Sequence, residues 1–151
     1  MCRANVAATH PHDAQAFTQG LEYYRGFLYE STGIAGRSSL RKVALQTGRV
    51  LKKVTLPVQY FGEGLTIFRG RIYQLTWTSK VGFIYELNTF RQIGEFHYEF
   101  EGWGMTHDEN SLIVSDGTNK IRYLDPFSFA VSRSIEVYAG KKAVVNLNEL
   151  E

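Results

Sequence analysis

The sequence has little cysteine, little net charge and no long hydrophobic run. Cys2 is the single cysteine among 151 residues, so an internal disulfide and a cysteine-based metal cage are both excluded. The 17 Lys and Arg side chains nearly balance the 15 Asp and Glu side chains, and they form no basic tract of the kind that binds nucleic acid. No apolar run reaches the roughly 18 residues of a transmembrane helix, and no stretch near the N-terminus resembles a signal peptide. We therefore expect neither a nucleic-acid partner nor insertion into a membrane.

Helical periodicity is also lacking, whereas short β-type segments recur. Apolar residues nowhere keep the i, i+3, i+4 spacing of an amphipathic helix over a sustained window. Runs rich in Tyr, Phe, Ile, Val and Thr appear instead between turn-forming residues, for example at 27–31, 71–75 and 111–115. Such runs are typical of β-strands. With 44% hydrophobic and 14% aromatic residues, the sequence predicts an ordered, all-β protein.

The β-type segments belong to an internal repeat. Four similar segments, separated by 44, 40 and 45 residues, begin at Gln19, Glu63, Trp103 and Asn148. Each repeat contains four strand candidates, which in the first repeat are roughly 17–23, 27–31, 38–44 and 50–56. A period of this length with four antiparallel strands is that of a β-propeller blade.

The repeat also predicts how the chain is organised. We expect a flexible N-terminal segment at 1–12 and a partial β-propeller at 13–151. Its repeats are expected at about 17–58, 61–100 and 101–145, with a fourth starting at 146. Propellers typically need four to eight blades to close, so we expect about three and a half blades of a truncated ring. Unpaired blade edges would allow self-association.

The leading positions of the repeats are the candidate functional site. The innermost strand of each blade lines the central channel of a propeller, so Gln19, Glu63, Trp103 and Asn148 are expected to converge on one axis. Their side chains differ, although the residues that follow them are similar, as expected for a site built on a repeated scaffold. The alternative is that these residues only form a polar, solvated channel wall.

Aromatic residues are expected to enclose this site. Phe17 and Phe61 each precede a leading position by two residues, and therefore lie on the same side of their strands. Trp77 ends the second strand of the second repeat. Together with Trp103 they are predicted to wall an apolar cavity around Glu63, whose desolvated carboxyl would have a raised pKa. For each aromatic residue alone, a place in the core is the alternative.

Several short sequence blocks, taken in their order and spacing along the chain, carry a family resemblance. They lie at 12–13, 16–21, 29–33, 38–41, 60–66, 73–77, 101–104 and 147–151. They resemble the glutaminyl-peptide cyclotransferases of plant and bacterial type. The resemblance extends from about residue 10 to the end of the chain.

The resemblance implies a five-bladed propeller enzyme that converts the N-terminal glutamine of a peptide or protein to pyroglutamate, with release of ammonia. It implies no metal and no cofactor. The implied catalytic residues are Glu63, Gln19 and Asn148, with Glu63 as the acid/base. The implied substrate-binding residues are Phe17, Phe61, Trp77 and Trp103. The family commonly enters the secretory pathway, to an extracellular or periplasmic location, whereas the sequence itself indicates no compartment.

Three functions are weighed for the chain. The first is a cyclotransferase in truncated form. The second is a non-catalytic set of the same blades that acts as a protein-interaction module. The third, a general protein-binding propeller, predicts neither the mixed polar residues at the channel nor their aromatic enclosure, and is the least favoured.

Overall fold

The computed structural model describes residues 5–151; residues 1–4, which include Cys2, lie outside this part. The described chain consists of three four-stranded antiparallel sheets and one short hairpin. It contains no helix, and so no helix with the length and hydropathy needed to cross a membrane. The sequence prediction of an all-β fold with four-stranded antiparallel sheets is confirmed.

The strands follow one another in chain order within each sheet. The first sheet contains β1 (Thr18–Tyr24), β2 (Phe27–Thr32), β3 (Ser39–Ala44) and β4 (Val50–Thr55). The second contains β5 (Gly62–Phe68), β6 (Arg71–Thr76), β7 (Val81–Glu86) and β8 (Gln92–His97). The third contains β9 (Met105–His107), β10 (Leu112–Ser115), β11 (Lys120–Leu124) and β12 (Val131–Glu136). The hairpin of β13 (Tyr138–Ala139) and β14 (Lys142–Ala143) follows, turning at Gly140.

Glycines allow the first strands of successive sheets to pack against each other. A Cβ atom at Gly20 would lie 2.7 Å from the backbone nitrogen of Leu65, and one at Gly64 would lie 2.6 Å from that of Met105. A Cβ atom at Gly104 would likewise lie too close to the backbone of the C-terminal segment. Distances below 3.0 Å leave no space for a side chain, and this explains why glycine follows three of the four leading positions.

A carboxylate ties the first two of these strands together. Glu22 of β1 accepts hydrogen bonds from the Thr66 hydroxyl at 2.9 Å and from the backbone N–H of Ile67 at 2.8 Å, both in β5. Hydrogen bonds to an ionised carboxylate are among the stronger ones in proteins. Glu22 therefore helps to fix the register of β1 against β5, on which the relative positions of Gln19 and Glu63 depend.

Two apolar cores lie between the sheets. The core between the first and second sheets contains Tyr29, Leu40, Leu56, Leu65, Ile67, Ile72, Phe83, Tyr85 and Phe90. The core between the second and third contains Phe68, Tyr73, Leu75, Ile84, Phe96, Tyr98, Met105, Leu112, Val114 and Leu124. The second sheet thus buries both of its faces, and the first and third sheets each bury one face against it, which is the packing of successive propeller blades.

The chain direction in these sheets brings many loops to a common edge. Strands β1, β3, β5, β7 and β9 begin at one edge, where β2, β4, β6 and β10 end. We call this the upper edge, and it carries the residues just before β1, β5 and β9 and those just after β2, β6 and β10. Because the first strands of the sheets pack at the same level, the loops of all three sheets meet there.

Candidate active site

A cleft at the upper edge brings together six of the seven residues predicted to form the site. It has a volume of about 260 Å³ and is lined by Gln19, Phe61, Glu63, Trp77, Trp103 and Asn148. The seventh residue, Phe17, does not line this cleft. Its ring lies edge-to-face against Phe61 with 6.2 Å between the ring centres, and 52% of it is exposed. Phe17 therefore supports the wall of the cleft from outside.

The close packing of the first strands sets the leading positions side by side. The backbone N–H of Gly64, next to Glu63, donates a hydrogen bond to the carbonyl of Trp103 at 2.7 Å. The hydroxyl of Ser115 donates to the backbone carbonyl of Asn148 at 2.7 Å and fixes the C-terminal segment beside β9. Residues far apart in the chain thus face one cleft because their backbones are bonded across neighbouring strands.

Glu63 is the most deeply buried polar residue of the cleft, with 6% of its surface exposed. Within the described chain its carboxyl makes no hydrogen bond to another residue. Burial is the main cause that raises the pKa of Glu63 from 4.5 to about 8, and the negative charges of Glu149 and Glu101 contribute in the same direction. A carboxyl with this pKa can both give and accept a proton near neutral pH.

Glu149 carries a second carboxyl whose charge acts on Glu63. It accepts a hydrogen bond from the backbone N–H of Leu21 at 2.9 Å, which links the C-terminal segment to β1. Local burial raises the pKa of Glu149 too, but much of the residue is exposed, and solvent weakens the effect of its surroundings. The fold therefore controls the protonation of Glu63 more strongly than that of Glu149.

The two tryptophans of the cleft share one carboxylate. Glu101 Oε2 accepts hydrogen bonds from the indole N–H of Trp77 at 2.8 Å and from that of Trp103 at 3.0 Å. Glu101 was not among the residues predicted to form the site. A signal was present, because Glu101 precedes the leading position Trp103 by two residues, the offset at which Phe17 and Phe61 stand in the first two repeats.

Glycines give the aromatic rings their space. A Cβ atom at Gly33 would lie 2.3 Å from the ring of Phe61, and one at Gly117 would lie 2.7 Å from the indole of Trp103. Gly117 also has a φ of +74°, a backbone conformation that residues other than glycine rarely adopt. The walls of the cleft thus depend on glycines in the β2–β3 and β10–β11 turns as well as on the aromatic residues themselves.

Replacing Glu101 by Ala is expected to loosen both indoles, because each loses its hydrogen-bond acceptor. The chain contains two tryptophans, so its tryptophan fluorescence reports on this cleft alone. We expect quenching of that fluorescence by acrylamide to rise in Glu101→Ala, and to rise much less in Glu101→Gln, which keeps an acceptor oxygen.

The exposed Glu99→Ala serves as the control for this experiment. It removes a carboxylate two residues away without touching either indole. Equal quenching in Glu101→Ala and the unaltered protein would show that Glu101 does not hold the tryptophans.

His12 and Asp116, which do not line this cleft, make local polar contacts. His12 Nε2 is 2.8 Å from Glu30, and Asp116 binds Arg122 and accepts from the backbone N–H of Thr118 at 3.1 Å. No three His, Cys, Asp or Glu side chains come together as metal ligands within residues 5–151.

The chain is similar to known proteins along its whole length. The model of the family described as “Glutamine cyclotransferase” matches residues 1–151. A glutaminyl-peptide cyclotransferase of Arabidopsis thaliana is 42% identical over 148 residues, which are 97% of this chain and 46% of that protein. The chain thus spans about half the length of this relative.

Solved structures show the same family and, more distantly, the same fold. The structure of Myxococcus xanthus glutaminyl cyclase superimposes with a TM-score of 0.85 at 31% identity, covering 93% of this chain and 59% of that one. The WD40 domain of Neurospora crassa Pan2 matches at a TM-score of 0.64 and 10% identity, over 79% of this chain and 36% of that chain. The latter supports the propeller architecture alone. From the family match and the 42% identity together, the chain belongs to the glutamine cyclotransferase family.

Proposed function

We propose that the protein is a glutaminyl-peptide cyclotransferase, which converts the N-terminal glutamine of a peptide or protein to pyroglutamate and releases ammonia. The observation that carries the proposal is the buried carboxyl of Glu63, which faces a cleft and is engaged by no other residue of the described chain. The amides of Gln19 and Asn148 line the same cleft and likewise make no side-chain hydrogen bond within residues 5–151. These three polar groups are available to a ligand.

The proton transfers of the reaction match the properties of Glu63. The α-amine of the substrate attacks the γ-amide carbon of its own side chain, so a C–N bond forms in the ring and the bond to the amide nitrogen breaks. The attacking nitrogen gives up one proton and the leaving nitrogen takes one, so ammonia departs without net proton change. An N-terminal amine has a pKa of roughly 7.7–8.0. With its pKa of about 8, Glu63 exchanges protons with this amine at little energetic cost and passes them to the leaving nitrogen.

The amides and the aromatic walls have complementary roles in the proposal. As the carbonyl becomes tetrahedral, its oxygen gains negative charge, and the NH₂ groups of Gln19 and Asn148 donate hydrogen bonds to it or orient the substrate. Phe61, Trp77 and Trp103 fold the glutamine side chain back towards its own amine. Holding the two reacting groups together in this way makes the attack faster, and the apolar wall limits access of water.

The substrate class of the family supports the peptide partner. The interaction-module alternative is not favoured, because the similarity is to cyclotransferases. Self-association through sheet edges stays a prediction, and it concerns edges such as β12, which is exposed along its whole length.

The function is tested by incubating the protein with a short peptide that begins with Gln. We expect release of ammonia and a product lighter by one ammonia molecule. A peptide of the same composition with Gln at the second position is the control, since its amide cannot be attacked by the N-terminal amine to form the same five-membered ring. Absence of ammonia release above the uncatalysed rate would overturn the proposed function.

A further inference from the structure

A second cleft lies at the upper edge of the first sheet, beside the candidate active site. Its volume is about 350 Å³. Its walls come from the segment before β1, the β2–β3 turn and the end of β4, with Asp13, Gln15, Phe17, Thr32, Gly33, Ile34, Gly36, Arg37, Arg41, Lys53 and Thr55 as lining residues. The mechanism proposed above uses none of the charged residues among them.

The charges of this cleft do not balance. Asp13, its single acidic lining residue, accepts a hydrogen bond from Arg41 Nη1 at 2.9 Å. Arg41 is 7% exposed and also lies 3.7 Å from the carboxylate of Glu30. Arg37 and Lys53 have no carboxylate partner within the described chain, and both are exposed. The cleft therefore presents two positive charges without counter-charge in addition to the Arg41–Asp13 ion pair.

The two clefts share a wall. Gly33 lines the second cleft, while on its other side it approaches the ring of Phe61 and the side chain of Gln19. Phe17 lines the second cleft as well, and its ring centre is 6.2 Å from that of Phe61. An extended peptide advances about 3.3–3.6 Å per residue. Two residues of a peptide therefore cover the distance between these rings.

We propose that the second cleft binds a carboxylate side chain at the third or fourth residue of a peptide whose N-terminal glutamine occupies the first cleft. Arg37 and Lys53 supply the attraction, and the wall of Gly33, Phe17 and Phe61 guides the peptide from one cleft to the other. Both clefts open at the upper edge, so the path stays on one side of the sheets. The proposal rests on the proposed function, because that function places the peptide N-terminus in the first cleft.

The proposal predicts a preference for acidic peptides. Because an exposed ion pair contributes little in solution, two cations are expected to give only about a fivefold tighter Kd for Gln-Ala-Glu-Ala than for Gln-Ala-Gln-Ala, both amidated at the C-terminus so that the fourth residue carries no carboxylate. The preference should weaken as salt is added, since the charges are exposed. Replacing both cations, in Arg37→Gln with Lys53→Gln, should reduce the ratio of the two Kd values to about one. Lys141→Gln in the β13–β14 turn, which removes an exposed charge elsewhere, should leave the ratio unchanged.

The experiment is arranged to be independent of turnover. Binding is measured with the pyroglutamyl forms of the two peptides, which cannot react further, and kcat/KM is measured separately with the Gln forms. Equal Kd values for the acidic and neutral peptides, or an acidic preference that survives in the double variant, would overturn the subsite. A protein that prefers the acidic peptide but releases no ammonia would retain the subsite and refute the proposed reaction.

Discussion

Turnover of a Gln-initiated peptide is expected to fall by about a hundredfold or more in Glu63→Gln, since general acid–base catalysis contributes roughly 10²–10⁴. Gln has nearly the shape of Glu, so it fills the same buried position, but its amide cannot carry a proton between the attacking and the leaving nitrogen. Ammonia release and kcat are the measurements. The loss should lie mainly in kcat, because the walls that bind the substrate are unchanged.

The control for this prediction is Glu95→Gln, the same chemical change on the exposed face of β8. It should leave kcat within the error of the assay. Turnover in Glu63→Gln equal to that of the unaltered protein would contradict the role assigned to Glu63. A fall in both variants would indicate a general effect of lost charge.

Glu63→Gln should also change how the free energy of unfolding depends on pH. The folded-state pKa of Glu63 is about 8, against 4.5 as its ordinary value, so between these values the folded chain holds a proton that the unfolded chain has lost. The free energy of unfolding therefore falls as pH rises through this window, and no further above it. Glu63→Gln has no proton to lose, so the drop in stability between about pH 5 and about pH 8 should shrink by about 2–4 kcal/mol. Urea denaturation at the two pH values measures this difference.

The largest loss of stability is expected from Gly64→Ala, at about 3 kcal/mol. The added methyl group would lie 2.6 Å from the backbone nitrogen of Met105 and 2.6 Å from the carbonyl oxygen of Trp103. Backbone atoms cannot rotate away as the end of a side chain can. Strands β5 and β9 must therefore separate, which strains the 2.7 Å hydrogen bond from Gly64 to Trp103. Urea denaturation at neutral pH measures the effect.

Gly94→Ala is the matched control for Gly64→Ala. Gly94 lies in β8, and a methyl group there meets only the flexible end of Ile84, at 3.4 Å. Its effect should stay within about 0.5 kcal/mol. If Gly64→Ala lowers the free energy of unfolding no more than Gly94→Ala does, the first strands can accommodate a side chain at Gly64, and their close packing does not require glycine there. Any Gly64→Ala protein that folds should also lose turnover, because Glu63 is adjacent.

The strands could be predicted closely because their limits are set by local chemistry. The first sheet was expected at 17–23, 27–31, 38–44 and 50–56, and each of its strands lies within one residue of these limits. The turn between β1 and β2 contains Arg25 and Gly26 with φ values of 48° and 87°. Glycine adopts such values readily, so the turn is visible in the sequence. The hairpin of β13 and β14 was not predicted, because each strand has only two residues.

The repeat made the leading positions predictable, and the three-dimensional packing determined which other residues join them. Similar repeats within one chain place their equivalent residues at equivalent points of the fold. The spacing therefore predicted that the leading positions lie close together; they are Gln19, Glu63, Trp103 and Asn148. Phe17 shares its offset with Phe61, yet its ring lies outside the cleft, where it lines the second one. An offset along a strand fixes the side on which a residue lies, but not the neighbour its side chain meets.

By itself the sequence determined the all-β class, the blade-sized repeat, and the residues that lead each repeat, because periodicity and turn chemistry are local properties. Tertiary structure decided the rest: the pKa of Glu63, the carboxylate of Glu101 between two indoles, and the uncompensated cations beside Phe17. Each of these depends on contacts between segments from different strands or loops, and on how much water those contacts exclude. Such distances and exposures arise when the sheets pack, so they cannot be read from the spacing of residues along the chain.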